Sequence, residues 1–339
     1  MANKKIRVAI NGFGRIGRMV LRAYVESGRK DLEFVAINDL APLERSAHLL
    51  EFDSVHRRLK SPVKITKDSI QVGGHNIKIV SERDPKMLPW KKLGVDIVME
   101  CTGIFTNADK AKVHLEAGAK RVLVSAPSDG ADATIVFGVN EKTLKKTHLI
   151  VSNASCTTNC LAPVASVIDD VFGIVNGYMT TVHSYTGDQK LIDTDHTGDL
   201  RRARAAALSM IPSKTGAAKA IGLVLPKLAG KLDGTAIRVP TPDVSIVELV
   251  VNLKKKTTAE AVNAAIKKAS LGAMKGVLGY SELPLVSVDF TGDSRTSILD
   301  AALTKVIDGN LLHVSSWYDN EWGFSNKMCD TAIAIGKLI

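Results

Sequence analysis

The sequence has little of what would mark an exported or membrane-bound protein. It contains four cysteines in 339 residues, Cys101, Cys156, Cys160 and Cys329. That is too sparse for a disulfide framework in a chain this long, so a reducing compartment is expected. No apolar run approaches the ~20 residues of a membrane helix. Residues 1–7 carry charges with no apolar stretch and cleavage site behind them. A cytoplasmic protein with no membrane partner is therefore expected. Aromatics make up only 5% of the residues, so the core must be largely aliphatic. Internal repeats and low-complexity linkers are lacking too. The balance of 45% hydrophobic and 24% charged residues excludes disorder and collagen-like repeats. At roughly 150 residues per domain, the length suggests two domains.

Lysine and arginine number 45 against 35 acids, a net charge of +10. Such a surface favours anions: nucleic acid, acidic membrane or phosphorylated metabolites. The basic residues are dispersed, at Lys4, Lys5 and Arg7, at Arg57, Arg58 and Lys60, and at 254–256. No aromatic-rich RNA motif interleaves with them, which leaves nucleic-acid binding as a secondary activity at most.

The first half alternates strand and helix. Apolar strands are predicted at 6–10, 33–38, 96–101, 121–125 and 148–152, the first two joined by a helix that stops near Gly28. A second helix is expected behind a capping box at Thr106-x-x-Asp109. Near-continuous apolar strands separated by helices imply a parallel sheet covered on both faces. The second half has longer strands at 235–239, 245–253 and 285–290, and a helix capped by Thr257-x-x-Glu260. It suggests an α+β domain with a largely antiparallel sheet. Phe324, Met328, Ala332 and Ile335 recur at helical spacing in the last segment.

Three constellations carry chemistry. Gly12-Phe13-Gly14-Arg15-Ile16-Gly17 follows the first strand, opens the first helix, and is matched by Asp39 after the second strand. This is the full context of a dinucleotide fingerprint. Gly12 permits the tight turn, Gly14 lets a pyrophosphate approach the backbone, and Gly17 lets helix and strand pack closely. The helix N-terminus offers free N–H groups to the phosphates. Asp39 can accept from an adenosine ribose and would repel a 2′-phosphate, which favours NAD over NADP. The alternative is an ordinary strand–turn–helix with a chance acid.

Cys156 lies among small polar residues, after a predicted strand end near Ser152 and at a predicted helix start. A thiol there feels the helix dipole, which lowers its pKa. The alternative is an inert buried cysteine, which Cys160, one turn on, suits better. No second Cys/His pair stands at ligand spacing, so no metal site is expected. The third constellation is His183, within Thr180-Thr-Val-His183-Ser-Tyr-Thr186-Gly-Asp188, together with the basic run around Arg201, Arg202 and Arg204. His183 could serve as the base for Cys156. Taken alone it could be structural, and the basic run could be a solvated helix face.

With these residues in hand, the chain resembles the phosphorylating glyceraldehyde-3-phosphate dehydrogenases from end to end. The resemblance runs through Ile10-Asn-Gly-Phe-Gly-Arg-Ile-Gly17, Ser152-Asn-Ala-Ser-Cys-Thr-Thr-Asn-Cys160, Leu200-Arg-Arg-Ala-Arg-Ala-Ala-Ala207, Thr215-Gly-Ala-Ala218, Arg238-Val-Pro-Thr-Pro242 and Trp317-Tyr-Asp-Asn-Glu-Trp-Gly323. It implies an α/β Rossmann NAD-binding domain at 1–155, to which a C-terminal helix at 321–339 returns. It also implies an α+β catalytic domain at 156–320 with a largely antiparallel sheet, and a homotetramer in which residues 184–212 reach a neighbouring subunit's cofactor site.

The resemblance further implies roles for single residues. Arg15 and Ile16 would lie in the glycine turn, Asp39 on the ribose, Arg83 near the adenine, Ser125 after its strand, and Asn320 near the nicotinamide. Ser155 and Thr157 would flank the nucleophile Cys156, and Thr186, Arg202, Thr215, Gly216 and Arg238 would hold substrate. The two arginines suit the two anions of the reaction, the C3 phosphate of glyceraldehyde 3-phosphate and inorganic phosphate. The implied chemistry is oxidation to 1,3-bisphosphoglycerate through a Cys156 thioester, with His183 as acid and base and with the Cys156 N–H and the imidazole stabilising the oxyanion.

Three features depart from the family pattern. His196-Thr-Gly-Asp-Leu200 is one residue longer than usual, Asp195 stands where proline is common, and Lys214 sits beside the Thr215-Gly216 pair. The nearest rival is erythrose-4-phosphate dehydrogenase, against which Asp39 and the Thr186-Gly-Asp188 pattern argue. The dinucleotide motif argues against a cysteine hydrolase.

Overall fold

The computed structural model describes residues 5–339. Residues 1–4, where part of the N-terminal reading and Lys4 fall, lie outside the described residues. The chain divides into two compact units. One comprises the residues up to Ile135 with Glu141–Ala154 and Ser325–Ile339, and the other comprises Val136–Asn140 and Ser155–Phe324.

The first unit is built on a nine-stranded sheet. Its central strands are β1 (Ile6–Asn11), β2 (Leu32–Asn38), β3 (His75–Val80), β4 (Ile97–Glu100), β5 (Arg121–Val124) and β6 (Ile150–Ser152). They lie side by side as β6-β5-β4-β1-β2-β3, all parallel. This is the doubly wound order, and it reverses between β1 and β4, where such sheets bind ligands. Ala133–Thr134 pairs parallel with β6 at one edge, and Ser69–Val72 and Val63–Ile65 close the other edge antiparallel. Val8, Ala9, Ile10, Ile97, Val98 and Met99 are all buried, which explains strands that are apolar without alternation.

Helix α1 (Arg15–Ser27) buries Met19, Val20, Ala23 and Tyr24 against the sheet. It ends at Gly28, whose φ of 64° is the left-handed conformation glycine adopts freely. The expected capping box at Thr106 is replaced by Asn107, whose side chain accepts from the Asp109 N–H at 2.8 Å. Asparagine serves there because its carbonyl reaches the free N–H of the first turn.

The second unit holds a seven-stranded sheet. Its long strands are β7 (Ile174–Ser184), β8 (Leu232–Val239), β9 (Ser245–Leu253), β10 (Ser297–Ile307) and β11 (Leu311–Tyr318), ordered β8-β7-β9-β11-β10. β7 and β8 run parallel, and the other pairings among these five are antiparallel. Ile211–Lys214 and Leu278–Ser281 form the edges. Helix α2 (Cys156–Phe172) packs on this sheet with every residue from Thr157 to Ile168 buried.

Two expectations fail in this unit. Residues 285–290 form no strand but end in a 3-10 turn, Ser287–Phe290. Val286 and Val288 face solvent, and the Asp289 carboxylate accepts from the Val286 N–H at 2.9 Å, bending the chain. The cap of helix α3 (Ala259–Leu271) is Thr258, one residue later than read, and its hydroxyl accepts from the Ala261 N–H. The last helix, α4, spans Trp322–Gly336. Among the described residues no helix is long and apolar enough to cross a membrane.

Candidate active site

In the first unit, the C-terminal ends of the parallel strands converge on the glycine turn. Gly12 has φ +90°, and a Cβ there would come within 2.7 Å of the Thr102 backbone N. A Cβ on Gly17 would lie 2.2 Å from the Gly12 carbonyl oxygen, so helix and turn touch through their backbones. Nothing lies within 4 Å of the Cβ position of Gly14. That open ground adjoins a helix start with no side-chain cap, and no acid in its first turn offsets the positive end of the helix dipole.

Asp39, just past β2, is tied to the turn. One carboxylate oxygen accepts from the Phe13 N–H at 2.6 Å and the other from the Ala41 N–H at 2.8 Å. Arg15 bridges to Asp53 at 2.6 Å, and Ile16 is half-buried in the first turn of α1. Asn38 holds the segment that leads to the exposed Arg83, exchanging hydrogen bonds with the Glu82 backbone at 2.9 and 3.0 Å. Ser125 follows β5, its N–H donating to the Glu100 carbonyl at 3.0 Å. Open backbone at Gly14, a helix start beside it and an anchored acid at the strand ends fit a dinucleotide.

A buried polar network beneath this turn escaped the sequence reading. The Glu100 carboxylate accepts from Asn11 Nδ2 at 2.7 Å, His114 Nε2 at 2.9 Å, and both the N–H and the hydroxyl of Thr102. Trp90 Nε1–H donates to His114 Nδ1 at 3.2 Å. An indole can only donate, so Nδ1 accepts and the ring proton sits on Nε2, aimed at Glu100. Spacing gives no signal for a set drawn from β1, β4, a loop and a one-turn helix.

The chain leaves the first unit after β6 through Ala154, which is left-handed at φ 56°, and enters the second unit at the start of α2. Ser155 is the N-cap, its hydroxyl accepting from the Thr158 N–H at 3.0 Å, and Cys156 is the first helical residue. His183 stands near the end of β7, with Nε2 3.5 Å from Cys156 Sγ. Its Nδ1 lies 2.7 Å from the Ser184 carbonyl, which can only accept. The ring proton is therefore on Nδ1, and Nε2 is left as an acceptor facing the thiol. Tyr318 sits edge-on to the imidazole, and its hydroxyl bonds Thr157 and Thr181 at 2.9 Å each.

Electrostatics corrects one expectation. Burial pushes the Cys156 thiol up, and this outweighs the hydrogen bonds from Thr157 and the field of Arg238 that favour thiolate. Burial also pushes His183 down to about 4, with the Ser184 carbonyl opposing and Arg238 adding to the shift. Each charge alone is disfavoured in this setting, so proton transfer from sulfur to Nε2 must create both together, 3.5 Å apart. Cys160 fits its inert reading: it is fully buried, donates to the Ser316 carbonyl, and burial pushes it up to about 12.

Arg238 lies directly opposite His183 in the parallel β7–β8 register. Its Nη1 donates to the Thr186 hydroxyl at 2.6 Å and to Gln189 Oε1 at 3.1 Å. Arg202 Nε donates to the Ser213 hydroxyl at 2.7 Å and Nη1 to Asp188 at 2.8 Å. The Thr215 hydroxyl accepts from the Ala217 N–H at 3.2 Å, and Gly216 begins the helix Ala217–Val224 with open space around it. The Lys214 side chain is exposed. Asn320 Oδ1 accepts from the Ser184 and Ser245 hydroxyls, both at 2.9 Å.

Comparison with known proteins identifies this combination. A family model described as the NAD binding domain of glyceraldehyde 3-phosphate dehydrogenase matches residues 6–108, and one described as its C-terminal domain matches residues 155–320. The chain is 62% identical over 333 residues to glyceraldehyde-3-phosphate dehydrogenase of Xanthobacter flavus, covering 98% of this chain and 99% of the relative. It is 62% identical over 334 residues to that of Cereibacter sphaeroides, with 98% and 99% covered. It is 56% identical over 333 residues to that of Geobacillus stearothermophilus, with 98% of each covered.

Proposed function

The chain belongs to the glyceraldehyde-3-phosphate dehydrogenase family, and we propose that Cys156 and His183 carry out the oxidation and phosphorylation of glyceraldehyde 3-phosphate. The observation that carries this reading is the imidazole Nε2, an acceptor, held 3.5 Å from the sulfur at a helix start. Cys156 Sγ attacks the aldehyde carbon while Nε2 takes the thiol proton, and that proton passes to the former carbonyl oxygen. His183 then removes the hydroxyl proton as the C–H bond breaks and the thioester forms. Bound NAD supplies the acceptor for the hydride. The backbone N–H of Cys156, at the start of α2, and the imidazole donate to the oxyanion. Inorganic phosphate attacks the thioester carbonyl, and sulfur leaves with the proton held on Nε2, giving 1,3-bisphosphoglycerate.

We assign the dinucleotide to Gly12, Gly14, Arg15, Ile16, Gly17, Asp39, Arg83 and Ser125 in the first unit, with Asn320 on the nicotinamide side. Ser155, Thr157, Thr186, Arg202, Thr215, Gly216 and Arg238 hold substrate and phosphate. We divide the chain into an NAD-binding domain at 1–155 with the helix at 321–339, and a catalytic domain at 156–320. The charge of Asp39, fixed at the turn by two N–H groups, selects NAD over NADP. A homotetramer is the assembly we favour, because the 184–212 segment exposes Leu191 by 87% and Leu208 by 84%, an apolar surface that calls for cover. We place the protein in the cytoplasm, in keeping with four free cysteines.

The test follows reduced nicotinamide by absorbance with glyceraldehyde 3-phosphate, phosphate, and NAD or NADP. Turnover should require phosphate and prefer NAD. Turnover without dinucleotide, or a large preference for erythrose 4-phosphate, would overturn the assignment. Asp39→Ala should narrow the NAD preference by roughly tenfold, since one repelling charge beside a 2′-phosphate is removed.

A further inference from the structure

The two guanidiniums assigned to phosphate already share a carboxylate. Asp188 Oδ2 accepts from Arg202 Nη1 at 2.8 Å, and Asp188 Oδ1 lies 4.0 Å from Arg238 Nη1. The Thr186 hydroxyl, which also receives Arg238 Nη1, donates to the same Oδ1. The acid thus sits where both arginines converge, on the side chain that tethers one of them. Burial works against its charge, yet the Thr186 hydroxyl and the guanidiniums of Arg238 and Arg202 hold it below the usual carboxylate range. It is therefore ionised at neutral pH.

The pocket is not saturated by this arrangement. Arg238 Nε is buried with no hydrogen-bond partner among the described residues, and so is Gln189 Nε2. Two buried donors left open beside an engaged pair of arginines indicate that a further acceptor belongs there. The acid is 42% exposed, so it can swing away when that acceptor arrives.

We propose that Asp188 is an internal counter-ion that competes with phosphate for Arg202 and Arg238, lowering phosphate affinity so that phosphorylated product can leave. This rests on the substrate assignment made above. Taken by themselves, the two guanidiniums and the Asp188 carboxylate sum to +1, and a phosphate dianion joining them reverses this to −1; Asp199, 3.9 Å from Arg202 Nε, lowers each total by one. Without the carboxylate the same dianion would neutralise the pair. A carboxylate is a weaker ligand than a phosphate dianion but is always present, so it holds the like-charged arginines together between turnovers and takes back their donors as product departs.

The experiment uses the full-length protein and two variants, Asp188→Asn and Asp188→Ser. Inorganic phosphate binding is measured by calorimetry, and turnover is measured against phosphate concentration. Removing one unit charge next to a bound dianion should tighten phosphate binding roughly tenfold. The KM for phosphate should fall in both variants and kcat should fall with it, because release slows. A residue that merely aligned the arginines would raise the KM instead. Weaker or unchanged phosphate binding in variants that melt like the parent would overturn the proposal. If the parent itself showed no saturable dependence on phosphate, the substrate assignment would fall first.

Discussion

Two buried histidines, one in each unit, lie at similar depth and differ in how their ring nitrogens are engaged. His114 is fully buried and has both ring nitrogens engaged, Nδ1 by the Trp90 indole and Nε2 by the Glu100 carboxylate. Glu100 in turn accepts from four donors. Nothing in that set has a free valence, and its effect is to fix Asn11 and Thr102 beneath the glycine turn. His183 is 5% exposed, almost as deep, yet only Nδ1 is anchored, by a carbonyl. Its Nε2 faces a thiol. Burial and hydrogen bonding are common to both. What differs is the second nitrogen: one meets a saturated partner and the other a thiol.

The comparison is sharpest in kinetics. His183→Asn should lower kcat by about a thousandfold, the scale of a lost general base, while the fold persists. Its Cys156 should also react with iodoacetamide only at higher pH than the parent's, because a half-buried thiol has lost its proton acceptor. A variant with near-normal turnover would erase the distinction. His114→Leu should do the reverse. It leaves the buried Trp90 N–H without an acceptor and Glu100 short of a donor, and should cost about 3 kcal/mol of stability by denaturant unfolding. Its kcat per folded molecule should stay within about twofold, and a large rate loss with an unchanged unfolding midpoint would contradict the structural role.

The smallest effect is a pH dependence. His183 is held at about 4 when folded, against 6.5 for an unperturbed ring. Between those values the unfolded chain binds a proton that the folded one refuses. Stability from this ring is therefore complete above pH 6.5 and is lost as pH falls toward 4, at up to about 1.4 kcal/mol per pH unit. The unfolding free energy of His183→Asn should be flatter than the parent's across that window. Identical slopes would show that the ring is protonated in the folded enzyme.

The sequence revealed what is local. Gly12, Gly14, Gly17 and Asp39 lie within one strand–helix–strand unit, so spacing alone exposed them. Cys156 was legible as a helix start because small polar residues interrupt two apolar runs. His183 could be offered as its partner but not placed, because the pairing depends on β7 passing the start of α2, a tertiary event. The Glu100–His114–Trp90 set was invisible, since its members come from elements distant in the chain and share no periodicity. Asp188 has no legible role within its motif, because its meaning comes from Arg202 and Arg238 converging on it. Residues 285–290 were misread as a strand because apolar composition does not disclose that Val286 and Val288 face water. The dipole argument for Cys156 failed for a similar reason: helix position is local, whereas the burial that outweighs it is not.

The central claim is that one sulfur carries the substrate. Mass spectrometry of the intact protein and its peptides, after mixing with glyceraldehyde 3-phosphate and NAD in phosphate-free buffer, tests it directly. The account predicts a single phosphoglyceroyl group on the peptide containing Cys156, discharged on adding phosphate. An adduct on Cys101, Cys160 or Cys329, or turnover with no adduct at all, would contradict it.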